Sequence, residues 1–198
     1  MNLRNLLYKN SCESVPRRGS LLISDPMMEE VYFRRSVVMI LDADADKGYL
    51  GLTLNKATRL TLNDLMPDWE KGRNVPVFCG GPVDLERLFL LHTLGEKISG
   101  ATEIIPGIYV GGEVEEILEY IENGGETEGC LRFFLGYSGW SHGQLETEIE
   151  HHSWAVMNPR NGEDLLSGSE NGYWRREVAL LGESHRSWLM VPPDPSMN

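Results

Sequence analysis

Large apolar residues fall into short runs through most of the chain, separated by polar or glycine-rich intervals. Such runs, rich in β-branched and aromatic residues and bounded by turn formers, predict strands. Eight are predicted, at residues 21–24, 33–41, 49–54, 75–79, 87–93, 104–110, 131–137 and 154–157. Helical periodicity is rarer. In residues 113–123 the apolar Val114, Ile117, Leu118 and Ile121 follow i, i+3, i+4, i+7 spacing, while Glu115, Glu116, Glu119 and Glu122 take the other positions. This predicts an amphipathic helix packed on a sheet and ended by Gly124 and Gly125. Residues 144–152 and 173–181 predict two further helices. Residues 61–66 predict a short one, with Thr61 and Asp64 placed as a capping pair. Leu3, Leu6 and Leu7 mark a helix and linker over 1–18, the domain proper spans 19–190, and 191–198 form a frayed tail. Many strands with few intervening helices imply an antiparallel or mixed sheet.

Composition narrows the class. The 198 residues, 41% hydrophobic, suffice for one domain with a shielded core. The longest apolar run, Val37 to Leu41, is far short of the ~20 residues that span a bilayer, and the start of the chain has no signal-peptide apolar region. A cytoplasmic protein without membrane attachment is expected. Cys12, Cys79 and Cys130 are an odd number without CxxC spacing, which predicts isolated thiols and neither a disulfide framework nor a zinc site. The formal charge is -12, and basic residues form only small pairs such as Arg17 with Arg18, Arg34 with Arg35 and Arg175 with Arg176. Direct nucleic-acid binding needs a basic surface, so the balance argues against it.

Four groups carry candidate chemistry. Gly139, Ser141 and Gly143 satisfy G-x-S-x-G between a strand and a helix, which on paper is a nucleophile elbow, completed by Asp164 and by His185 or His152. The consecutive strands before it lack the parallel βαβ units of such a hydrolase. Ser141 with Gln144 also reads as a capping box in which the hydroxyl accepts from a backbone N–H and the glutamine reaches back. Glu148 and His151 have di-iron E-x-x-H spacing, but no second copy of that motif exists, and His151 and His152 suit a helix end. Asp42, Asp44 and Asp46 resemble a calcium loop, but Lys47 and Thr53 stand where glycine and glutamate are required. Gly80, Gly81 and Pro82 follow a strand without the Lys-Ser/Thr of a phosphate loop, so a tight turn is expected, with Arg87 as the one nearby cation. No cofactor or metal follows from these patterns.

Four stretches together resemble the AlgH/YqgE family of bacterial proteins. They are Leu21 to Ile23 with Pro26, Met28, Phe33 and Ser36 to Val38; GLTLN at 51–55; GGPV at 80–83 with Arg87 and His92; and Gly139 with Trp140, GQLE at 143–146, Glu148 and Trp154. The resemblance implies a compact α+β fold, a mixed, partly barrel-like sheet flanked by helices. It also implies no established catalytic activity or cofactor, and a transcriptional-regulator label. Ser141 and His142 stand where the family commonly has glycine, proline or alanine, Ala43 about where many relatives place histidine, and Ala57 where they have proline. The serine elbow is thus local to this chain.

The expected function is a non-enzymatic binding or regulatory protein acting through protein contacts, its partner an unknown protein or small ligand. Its site would join Gly80, Gly81 and Pro82 to residues 139–146. Arg87, Gln144 and Glu146 would give polar contacts, and Tyr137 and Trp140 an apolar wall, because polar and aromatic residues concentrate in these turns. The alternative is a serine hydrolase using Ser141.

Overall fold

The computed structural model describes residues 15–44, 46–69, 74–159, 161–162 and 164–193. Cys12, the leucine-spaced start and residues 194–198 of the expected tail lie outside them. Ten strands form one sheet: β1 (Leu21–Ser24), β2 (Val37–Asp44), β3 (Gly48–Thr53), β4 (Ala57–Thr61), β5 (Pro76–Cys79), β6 (Val83–His92), β7 (Ala101–Ile105), β8 (Ile108–Gly111), β9 (Leu131–Trp140) and β10 (Trp154–Met157). Their order is β10-β1-β2-β3-β9-β6-β8-β7, with β4 joined through β5 to β9. Every pairing is antiparallel except β5 with β9, so the sheet is mixed by one pair and the fold is α+β as expected.

The sheet is not closed into a barrel. Its ends do approach, since Arg18 donates to the Glu103 carbonyl of β7 at 3.0 Å and Gly162 to the Pro106 carbonyl at 2.9 Å. No ladder joins β1 or β10 to β7. Two strands escape the hydrophobic pattern. The run at 104–110 breaks at Pro106 and Gly107, whose φ of +85° makes the β7–β8 hairpin turn. β4, with sequence ATRLT, is polar and half-exposed, and gains strand geometry by pairing with β5. The expected strand at 33–41 begins only at Val37, because residues 31–35 turn and Arg35 takes a φ of +52°.

Period-two alternation decides which helix covers which face. Leu21, Ile23, Val37 and Met39 pack with Tyr173, Trp174 and Val178 of helix α4 (Glu170–Leu180) and with Trp188 of the 3-10 helix Glu183–Met190. Their neighbours Leu22, Val38 and Ile40 pack with Leu145 and Ile149 of α3 (Gln144–Glu150), on the other face. On β9, Phe134 belongs to the α4 side, while Leu131 and Phe133 meet Ile117 and Ile121 of α2 (Val114–Glu122). Helices α2 and α3 therefore share the face opposite α4. The α2 end is a Schellman motif, with Gly124 N–H on the Ile121 carbonyl and Gly125 N–H on that of Tyr120. Short α1 (Leu62–Leu65) starts as expected, with the Asp64 carboxylate accepting from the backbone N–H and hydroxyl of Thr61 at 2.7 and 2.8 Å.

Candidate functional site

Strand β9 changes phase at Gly136, whose φ is +67°. Before it even-numbered side chains face α4; after it Tyr137 faces the α4 side and Trp140 the α3 side. The GGPV turn crosses the backbone here. A Cβ on Gly81 would lie 1.8 Å from the Tyr137 carbonyl carbon, so only glycine fits. The Gly80 N–H donates to the Leu135 carbonyl at 2.8 Å, and the Gly80 carbonyl accepts from Thr53 N–H and the Ser138 hydroxyl. The turn is thus a crossing point of β3, β5 and β9, with the Gly80 amide already engaged and unavailable to an anion.

Beside this crossing the sheet opens into a cleft of about 450 Å3. The β2–β3 hairpin supplies Asp42, Asp44, Lys47, Tyr49 and Leu50; Val83 ends the GGPV turn; Tyr137, Gly139, Trp140 and Ser141 come from the end of β9. Register explains the grouping, because Leu50 lies opposite both Asp42 and Gly139, and Val83 opposite Tyr137. Asp44 accepts from the backbone N–H groups of Asp46 and Lys47, which hold its carboxyl below the usual range, and Lys47 Nζ lies 3.6 Å away. The aspartate-rich loop is thereby a self-bonded polar hairpin, as expected. Burial, then a 2.7 Å bond to Glu146, pushes the Tyr49 hydroxyl up to about 12.

The expected site residues divide. Tyr137 lines the cleft, but of the GGPV turn only Val83 does, while Gly80, Gly81 and Pro82 sit in the crossing behind it. Trp140, expected as an open wall, is 4% exposed: it stacks on Phe33 and donates its indole N–H to Glu148 at 2.9 Å. Gln144 is turned back on its own helix, accepting from Ser141 N–H and donating to Glu148 at 2.9 Å, and Glu146 holds Tyr49. Arg87 lies over Phe89 at 4.7 Å and borders a separate apolar groove. The capping box is half formed, since the Ser141 hydroxyl donates to Gln144 Oε1 and the helix N-cap is Gly143.

Among the described residues neither His185 nor His152 is placed to form a triad with Ser141. His185 packs edge-on to Trp188, on the α4 face, while Ser141 leads into α3 on the opposite face, so the sheet stands between them. His152 follows the far end of α3, whose seven residues span about 10 Å. Asp42, Asp44, Lys47 and Tyr49 were not expected in the site. The polar loop was legible, but its approach to Tyr137 comes from the pairing of β3 with β9, nearly 90 residues apart in the chain.

Comparison with known proteins decides the family. A model described as AlgH-like matches residues 21–186. The chain belongs to the AlgH-like family. Relatives with the family name UPF0301 protein include one from Parabacteroides distasonis, 37% identical over 98% of each chain, and one from Bacteroides thetaiotaomicron, 36% identical over the full length of both. Among solved structures, a protein from Corynebacterium diphtheriae superposes with a TM-score of 0.74 at 20% identity over 92% of this chain and 96% of its own. The AlgH protein from Pseudomonas aeruginosa gives 0.66 at 25% identity over 87% and 94%.

The stretches that resemble the AlgH-like family do structural work here. Asn55 of GLTLN is fully buried, accepting from Val37 N–H and donating to the Arg35 and Glu170 carbonyls. Glu148 accepts both indole N–H groups, from Trp140 and from Trp154 at 2.7 Å, which leaves its carboxylate engaged instead of offered to a metal. Among the described residues no helix is long and apolar enough to cross a membrane.

Proposed function

We propose that this AlgH-like protein is a non-enzymatic binding protein that works in the cytoplasm and regulates through protein contacts, receiving its partner at the cleft between the β2–β3 hairpin and Tyr137. The observation that carries the reading is the cleft itself. It joins three aromatic side chains, two aspartates and a lysine in one concave site, the kind of surface where ligands recur. A nucleophile paired with a base is not part of it. The net charge of -12 steers basic partners inward and repels a phosphate backbone, which supports protein contact over DNA contact.

The test is differential capture from native lysate with wild type, a Tyr137→Ala/Asp42→Lys variant and a control Glu119→Gln on the solvent face of α2, each shown to be folded. Partners lost only with the cleft variant support the reading. An identical set from all three sinks it, and salt-reversible retention on a polyanion column would favour nucleic acid instead.

A further inference from the structure

The walls of the cleft are set by phase changes on two strands. Val37, Met39 and Leu41 of β2 hold the α4 face, and regular alternation would bring Ala43 there next. The ladder to β3 instead shifts between Ile40 and Asp42, so Asp42 pairs with Leu50 and Asp44 with Gly48. Paired residues share a face, and Leu50 packs with the α4-side core, so the shift turns both aspartates to that face. On β9 the change at Gly136 brings Tyr137 to the same face, followed by Gly139, which pairs with Leu50. Gly48 and Gly139 put no side chain there, so Leu50 floors the gap between the aspartates and the tyrosine. The Tyr137 ring lies over Gly139, where a Cβ would come within 3.3 Å of it.

The two aspartates are not equivalent. Asp44 has Lys47 Nζ at 3.6 Å and accepts two backbone N–H groups. Asp42 is exposed, accepts from Ala43 N–H at 3.0 Å and has no ion pair among the described residues. A metal ion would need more oxygen ligands, and among the described residues no three His, Cys, Asp or Glu side chains converge. A carboxylate facing an aromatic ring across an apolar floor suits an organic cation. The chain stacks its own arginines on rings elsewhere, Arg176 on Tyr173 at 4.3 Å and Arg35 on Trp174 at 4.5 Å. Among the described residues no cation stacks on Tyr137.

We propose that the cleft recognises an arginine side chain on an exposed segment of a protein partner, its guanidinium stacked on Tyr137 and donating to Asp42 while the methylene stem crosses Leu50. The backbones of Asp42 and Gly139 lie two strand spacings, about 10 Å, apart. That gap admits one guanidinium, stacked as Arg176 is on Tyr173 at 4.3 Å and about 2.8 Å from the carboxylate. Arginine is favoured over lysine because its plane matches the ring and its fork matches the carboxylate. A peptide is favoured over free arginine because the free carboxylate would meet the acidic wall. The inference rests on the reading that the partner docks in this cleft.

The experiment is an NMR titration of the 15N-labelled full chain with acetyl-Gly-Arg-Gly-amide, with its lysine and citrulline counterparts, and with free arginine. The arginine peptide should saturate at millimolar concentration and shift amide signals of residues 42–50 and 137–141. The uncharged citrulline peptide should not bind, and the lysine peptide and free arginine should bind more weakly. Asp42→Asn should weaken the arginine peptide by about two- to fivefold, while Lys47→Ala, which releases Asp44, should tighten it. Both substitutions lie on the exposed hairpin, where the fold tolerates them. No saturation, shifts confined to other surfaces, equal binding of any counterpart, or indifference to Asp42→Asn would each overturn the proposal. Such a failure, with partners still lost from the Tyr137→Ala/Asp42→Lys capture, removes the arginine and leaves the docking reading. Saturation with an unchanged capture set keeps the arginine site and removes the docking reading.

Discussion

Replacing Glu148 by alanine should cost far more stability than its position on a seven-residue helix suggests. One carboxylate oxygen accepts from Trp140 at 2.9 Å and Trp154 at 2.7 Å, and the other from Gln144 at 2.9 Å. Both tryptophans are 4% exposed, so in Glu148→Ala two buried indole N–H groups lose their partner with little water to replace it. Each such loss costs about 1–3 kcal/mol, which gives about 2–6 kcal/mol for the pair. Native stabilities are about 5–15 kcal/mol, so this is a large share. Glu148→Gln keeps an oxygen facing both indoles but removes the charge and turns an amide donor toward Gln144, for about 1–2 kcal/mol. Urea unfolding followed by tryptophan fluorescence separates the two variants, and the alanine variant should melt roughly 4–24 °C below wild type. A loss under about 1 kcal/mol, or equal losses for both variants, would refute the view that this carboxylate anchors α3 to the end of β9.

Two further outcomes follow from the geometry. Gly81→Ala should cost at least about 3 kcal/mol or prevent folding, because its Cβ would overlap the Tyr137 backbone 1.8 Å away, which neither chain segment can yield; a soluble variant with wild-type urea midpoint would contradict this. His92 and His185 are buried, and burial holds both imidazoles below the ordinary histidine range. Below about pH 6.5 the unfolded chain takes up protons that the native chain refuses. Stability present above that pH is thus lost as the pH falls toward the folded values. The urea midpoint should drop between pH 7.5 and 5.5, less so in His92→Gln, and a midpoint unchanged or higher at pH 5.5 would reject the assignment.

How much was legible shows in particular residues. Gly124 and Gly125 end α2 where the pattern stops, and Thr61 with Asp64 opens α1, because caps and turns are made by neighbours in the chain. Helix α2 was readable from spacing, since its face buries Ile117 and Ile121. Gln144 and Trp140 looked functional because they are polar or aromatic beside glycines. The i, i+4 spacing of Gln144 and Glu148 allows their bond, but the convergence of Trp140 and Trp154 on the same carboxylate is not revealed by the local pattern.

The sequence by itself determined the family, the α+β class, the capped helices and the net charge of -12, since motif, periodicity and charge reside in local order. Tertiary structure alone decided that Ser141 and His185 lie on opposite faces and that the hairpin aspartates meet Tyr137. The physical reason is that strand order and the phase change at Gly136 assign side chains to faces, and both arise from pairings between residues far apart in the chain.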